Sequence, residues 1–167
     1  MTEVVVASDL LALGPVQKHE LAQVAALEEA AFAPPIYPVF FFRQAFDLWP
    51  ELFWVARRDQ QILAYLIAAP ELASPGRLSM MSFAVAPQAQ GQGLGKQLLT
   101  AFLQALSQQV PAVTSIWLTV DPANQPALRL YQQHGFYISA QEPDYYGANY
   151  DRLVLTAEIH QNIIEKA

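Results

Sequence analysis

Apolar and polar positions along the chain switch repeatedly between a helical and a strand period. Lys18 to Phe32 places Leu21, Val24, Ala25, Leu27 and Ala31 on one helical face, with the carboxylate of Glu28 inside the same stripe. Pro34-Pro35 stops that helix, and a second is predicted from about Val39 to Leu48, closed by Pro50. Phe53 to Arg57 and Ile62 to Ala69 read as strands joined through Arg58-Asp59-Gln60-Gln61, a hairpin signal. Leu10 to Val16 reads as a short edge strand, and residues 1–9 as a loose arm. Arg77 to Val85 gives a further strand, followed by a helix over Gly93 to Gln109 that Pro111 breaks. Ser115 to Val120 is rich in β-branched and aromatic residues. A helix over Asn124 to His134 ends on Gly135, the residue type favoured just past a helix C-terminus. Phe136 to Gln141 and Arg152 to Ile159 are the last strands. This order predicts an α/β chain with a mixed central sheet of about six to seven strands and helices on both faces. Residues 10–167 are expected to form a single domain.

Composition narrows the classes. The chain has 167 residues, 53% hydrophobic and 14% charged, enough apolar material for a packed core. No apolar run approaches the roughly 20 residues of a membrane span, and Met1-Thr2-Glu3-Val4 lacks a basic leader region. With zero cysteines there is no disulfide, thiolate metal site or cysteine nucleophile, so a cytoplasmic address is the default and no metal is expected. A net charge of −6 argues against nucleic acid, whose partners carry a basic stripe. An acidic surface suits a basic or amine-bearing substrate, although solubility explains it equally well.

The chemistry concentrates in Val85-Ala86-Pro87-Gln88-Ala89-Gln90-Gly91-Gln92-Gly93-Leu94-Gly95-Lys96. A strand feeds a turn with three glycines at alternate positions, and the turn opens into a helix. Glycines let backbone N–H groups converge, and a helix N-terminus adds unsatisfied donors and partial positive charge, which together suit an anionic phosphate. A Walker loop fails because Gln90 and Gln97 stand where Gly and Ser or Thr are needed. The dinucleotide pattern fails at Lys96. What fits is Q/R-x-x-G-x-G/A, read as Gln90, Gly93 and Gly95; it resembles the acetyl-coenzyme A pyrophosphate loop of GNAT superfamily N-acetyltransferases. Taken by itself the loop also fits a glycine-rich helix cap.

A second segment strengthens the resemblance. Leu118 to Phe136 looks like the family's L-x-V-x-x-x-N-x-x-A-x-x-L-Y-x-x-x-G-F, with Asn124, Ala127, Leu130, Tyr131, Gly135 and Phe136 in place. The resemblance covers roughly Leu10 to Ile159, and is nearest to the ribosomal-protein N-terminal and arylalkylamine acetyltransferases. It implies the GNAT fold, splayed between the fourth and fifth strands of the sequence reading, and acetyl-CoA as cosubstrate. Gln90, Gly91, Gln92, Gly93, Leu94, Gly95 and Lys96 would then hold the pyrophosphate, although Lys96 also reads as a solvated helix residue. Main-chain groups of Phe83 and Val85 would pair with the pantetheine amides as an added strand does. Asn124 would touch the pantetheine, serve as a helix N-cap, or both.

Tyr131 is the candidate catalytic acid, its ordinary pKa near 10 keeping it protonated to meet the departing thiolate; the rival reading is a core aromatic. No general base is evident. Leu78-Ser79-Met80-Met81-Ser82-Phe83 has no histidine where some arylalkylamine enzymes do, and Thr119 stands where the ribosomal-protein enzymes have Glu. A lysine-like amine is neutral in about one part in 2,500 at pH 7, a cost of about 4.6 kcal/mol, against about 1 kcal/mol for an N-terminal α-amine. Either the amine is weakly basic, or water leads its proton to Glu28, Glu51 or Asp151.

Acceptor specificity is expected from residues 32–54 and 142–151, with Phe32, Tyr37, Glu51, Tyr145 and Tyr146 as candidate substrate-binding residues. Acids beside aromatic faces suit a cation. Core packing, a homodimer contact and a plain hydrophilic hairpin are the competing readings of these stretches. The reaction expected is direct attack of a primary amine, from a small molecule or a protein or peptide N-terminus, on acetyl-CoA. The alternative is a noncatalytic acyl-CoA-binding module of the same fold.

Overall fold

A computed structural model describes residues 4–6, 11–34, 36–109 and 112–160. Contacts divide the chain into two compact units, Met1–Ala69 with Met81–Ala105, and Pro70–Met80 with Leu106–Ala167.

The first unit holds β1 (Val4–Val6), β2 (Leu11–Pro15), α1 (Leu21–Ala31), α2 (Val39–Leu48), β3 (Phe53–Arg58), β4 (Gln61–Pro70), the later half of β5 (Arg77–Val85), and α3 (Leu94–Leu106). Its strands lie in the order β1-β2-β3-β4-β5, the pairs from β1 through β4 antiparallel. The β3–β4 turn takes positive φ at both Asp59 (48°) and Gln60 (67°), the twist a tight hairpin needs. Gln23 of α1 clasps this hairpin, donating to the Gln60 carbonyl at 3.1 Å and accepting from the Ile62 N–H at 3.0 Å. From Ile62 to Ala69 every residue of β4 is buried, so an unbroken apolar run meets cover on both faces of the sheet. Opposite rings supply it. Phe42 of α2 packs edge-on to Tyr65 at 5.7 Å and lies 6.4 Å from Phe53, while Phe102 of α3 packs on Trp54 at 5.8 Å. Phe53 and Trp54 are successive strand residues and point to opposite faces. Helices therefore flank both sides, as the sequence pattern predicts.

A charged pair lies inside the same unit. Arg57 donates through Nε to Glu20 at 2.7 Å and through Nη2 to its other oxygen at 3.0 Å, with both side chains nearly buried. The same guanidinium also donates to the Pro15 carbonyl at 2.9 Å, and the Gln17 N–H donates to Glu20 Oε2 at 2.7 Å.

The second unit holds the start of β5, β6 (Ser115–Val120), α4 (Gln125–Gln133), β7 (Tyr137–Glu142) and β8 (Arg152–Glu158). Strand order is β5-β6-β8-β7; β5 and β6 run parallel and the other pairs antiparallel. The β5–β6 ladder covers Arg77↔Ser115, Leu78↔Ile116 and Ser79↔Trp117. Trp117 closes a small polar cluster, its Nε1 donating to Glu71 at 3.1 Å while Arg77 lies over its ring at 5.4 Å.

Seven strands follow the pattern of the chain within a residue or two. The eighth, β1, falls in the stretch expected to be a loose arm, where Val4–Val6 pairs with β2. The helix expected over residues 18–32 begins as a 3-10 turn at Lys18–Glu20 before α1. The expected breakers Pro35 and Pro111 lie outside the described residues.

Candidate active site

After β5 the chain makes a 3-10 turn at Pro87–Ala89 and reaches α3 through Gln90–Gly93. Gly91 and Gly93 take φ of +77° and +75°, which side chains with a Cβ resist. A Cβ built on either would meet no atom within 4 Å, so the loop faces open space on that side. The helical ladder is entered by the bond from the Gln97 N–H to the Gly93 carbonyl at 3.1 Å. An α-helix leaves its earliest N–H groups unused, and here those fall on the glycine-rich turn itself. The arrangement is a backbone anion cradle with the positive end of α3 behind it.

The strand leading into the cradle has marked neighbours. Residues of β5 alternate, with Met80, Ser82 and Ala84 buried and Met81, Phe83 and Val85 half-exposed. Tyr37 donates its hydroxyl to the Met81 carbonyl at 3.0 Å, and the Gln90 side chain donates to the Val85 carbonyl at 3.3 Å. Glu28 lies fully buried beneath these residues. Its Oε1 accepts the Ile36 N–H at 2.8 Å and the Tyr37 N–H at 2.9 Å, and its Oε2 accepts the Tyr65 hydroxyl. Tyr65 also meets Ser82 Oγ at 2.8 Å. Burial first, then the bond to Glu28, pushes the Tyr65 phenol far above its ordinary value. Glu28 is thus a carboxylate filled by three protein donors, which leaves it unsuited to the water-linked base expected from the sequence.

The aromatic run divides among distinct duties. Phe42 is core, Tyr37 stacks on Phe41 at 4.2 Å, and Val39 and Phe40 face outward. Ala25, Glu29, Ile36, Tyr37, Pro38, Val39 and Phe42 line a cleft of about 360 Å³. Phe32 is half-exposed and ends α1, its N–H bonded to the Glu28 carbonyl at 3.0 Å. Glu51 is exposed, and its carbonyl accepts Trp54 Nε1 at 3.0 Å.

In the second unit Asn124 caps α4, its Oδ1 accepting the Ala127 N–H at 3.2 Å. Seven residues on, Tyr131 is 8% exposed and lies 5.5 Å from the Phe136 ring. Burial pushes its phenol well above the ordinary value, so it stays protonated throughout the physiological range. His134 is a helix-end residue, with Nδ1 at 2.7 Å from the Leu130 carbonyl. The 142–151 connection is exposed throughout. Asp144 Oδ1 accepts the Asn149 N–H and Asp151 Oδ1 accepts the Asp144 N–H, so Asp151, one of the offered proton acceptors, braces its own loop together with Asp144. Tyr145 and Tyr146 meet at right angles, 4.8 Å apart. Partial desolvation, then Tyr146 and Glu142, raises the Tyr145 phenol. Tyr146 carries the Arg152 guanidinium at 4.9 Å over its ring, and its hydroxyl lies 3.5 Å from Thr119 Oγ1. Among the described residues no group of three His, Asp or Glu side chains is placed to hold a metal.

Residues 20–136, which include the cradle and α4, match the acetyltransferase (GNAT) family. The chain belongs to the GNAT family. It is similar to an N-alpha-acetyltransferase of Sulfurisphaera tokodaii, 27% identical over 137 residues, covering 75% of this chain and 80% of that protein. Its fold is similar to that of the ribosomal-protein-S18-alanine N-acetyltransferase from Escherichia coli, with TM-score 0.77 and 22% identity over 90% of this chain and 94% of that one. It is also similar to Naa50 of Arabidopsis thaliana, solved with the bisubstrate analogue CoA-Ac-MVNAL, with TM-score 0.73 and 25% identity over 87% and 97% of the two chains.

The pattern of the chain offered the loop, Asn124 and Tyr131 as candidate site residues. It did not mark Tyr65 or Ser82, which are ordinary strand residues by sequence. The available signal was Glu28, a carboxylate in an apolar helical stripe that had to find partners inside.

Proposed function

We propose that this GNAT protein transfers the acetyl group of acetyl-CoA to the free α-amine of a protein or peptide by direct attack. The observation that carries the reading is the cradle, in which two glycines of positive φ precede the unused N–H groups of α3. Such a site takes a diphosphate without a lysine or arginine cluster. Gln90 to Lys96 hold the diphosphate, main-chain groups of Phe83 and Val85 pair with the pantetheine amides, and Asn124 adds a contact beside its capping role. A pantetheine amide at Val85 displaces the Gln90 side chain, an exposed and weakly held donor.

The amine nitrogen attacks the thioester carbonyl carbon, the carbon–sulfur bond breaks, and the thiolate takes its proton from Tyr131. The proton of the acetylated nitrogen leaves to solvent, and solvent then returns one to the phenolate. Phe32, Tyr37 and Glu51 of the first unit, and Tyr145 and Tyr146 of the second, are the proposed acceptor contacts. An α-amine is favoured because it needs no strong base, which suits a site with Thr119 in place of Glu and with Glu28 and Asp151 engaged elsewhere. The names of the relatives support the same acceptor.

Thiol release from acetyl-CoA, followed with a panel of free α-amine peptides, N-terminally blocked lysine peptides and small aromatic amines, tests the reading. Release with the α-amine peptides is expected. Release with only the small amines overturns the acceptor class, and tight coenzyme A binding with no release for any amine identifies a noncatalytic module. Absence of affinity for coenzyme A in calorimetry overturns the reading altogether.

A further inference from the structure

We propose that Glu28 is a positioning residue for the acceptor amine, fixing the segment that carries Tyr37 in register with β5. The inference rests on the acceptor reading above. A buried carboxylate is tolerated only when its lone pairs are filled. Here one oxygen draws in two successive main-chain N–H groups, Ile36 and Tyr37, and the other takes the Tyr65 hydroxyl. Since the Tyr65 proton is committed to Glu28, Ser82 is the donor in its 2.8 Å contact with Tyr65. The Tyr37 ring, held by its stack on Phe41, sends its own hydroxyl to the Met81 carbonyl.

Two branches from one carboxylate therefore land on adjacent residues of β5. One runs through the Ile36–Tyr37 main chain to Met81, and the other through Tyr65 to Ser82. The acceptor segment and the strand expected to carry the pantetheine are set against each other by this closed circuit. Misplacement of reacting groups by about 1 Å costs on the order of a hundredfold in rate, so the circuit governs how the amine meets the thioester. A carboxylate is required because it alone accepts on both oxygens; a carboxamide keeps one acceptor and turns a donor toward Tyr65.

The test compares wild type, Glu28→Gln and Tyr65→Phe with the peptide of the panel that releases thiol fastest. The acceptor KM, the acetyl-CoA KM and amide hydrogen exchange at Ile36 and Tyr37 are measured for each. Glu28→Gln is expected to raise the acceptor KM about tenfold, to leave the acetyl-CoA KM within about twofold, and to speed exchange at both amides. Tyr65→Phe cuts one branch and leaves the amide bonds, so it raises the acceptor KM about threefold with exchange little changed. It keeps the proposal testable if Glu28→Gln does not fold. Both Michaelis constants rising together in either variant, or an acceptor KM equal to wild type, overturns the proposal while wild-type turnover still upholds the acetyltransferase reading. No turnover by wild type overturns both.

Discussion

Tyr37 reaches from the segment between α1 and α2 to the main chain of β5, its hydroxyl 3.0 Å from the Met81 carbonyl. A neutral hydrogen bond of this kind contributes about 1 kcal/mol net. Tyr37→Phe keeps the stack on Phe41 and removes that bond. Urea denaturation should show a loss of about 1 kcal/mol, and the acceptor KM should rise several-fold while coenzyme A affinity measured by calorimetry stays unchanged.

Tyr131→Phe removes the proposed proton donor without emptying the core, because the ring still packs on Phe136. The expected outcome is a fall in kcat of about a hundredfold with little change in coenzyme A affinity. Stopped-flow or steady-state thiol release checks it. An unchanged kcat would leave Tyr131 as a packing residue.

Gly93 has φ +75° and open space beyond it. Gly93→Ala therefore meets no clash, but it imposes a left-handed conformation costing about 1 kcal/mol and adds a methyl to the proposed diphosphate site. Calorimetry should show coenzyme A affinity reduced at least about tenfold, with a far smaller change in melting temperature.

Tyr65 and Tyr131 both hold their protons in the fold beyond the ordinary tyrosine value, chiefly through burial. Above about pH 10 the unfolded chain releases those protons and the folded chain keeps them. Their contribution is intact below that pH and is lost as pH rises further, at about 1.4 kcal/mol per pH unit for each group. Urea midpoints between pH 9 and pH 11 should fall accordingly, and Tyr131→Phe should make the decline shallower.

Arg57→Met strands the nearly buried Glu20 carboxylate. Losing one partner of a buried pair costs about 3–5 kcal/mol, measurable as a large shift in urea midpoint. Adding Glu20→Leu should recover most of that loss, because neither charge then remains inside.

Local order carried the secondary structure and the cofactor-side motif. Helix and strand periods, proline stops and the glycine spacing are properties of neighbouring residues, so α2 and β6 match the sequence reading at both ends and a turn with positive φ at Gly91 and Gly93 leads into α3. Asn124 as the cap of α4 was legible for the same reason, since a cap and its N–H are three residues apart. The short strand at Val4–Val6 was not, because three residues carry too little pattern and depend on β2 for their pairing.

The circuit around Glu28 belonged to the tertiary structure. Its members come from α1, the following segment, β4 and β5, and Tyr65 and Ser82 are 37 and 17 residues from the groups they bond. The sequence required that a carboxylate in an apolar stripe be paired if buried, because an unpaired charge does not stay in a core. Which donors would arrive depended on how distant strands pack, and that is a matter of three-dimensional closure rather than of spacing along the chain.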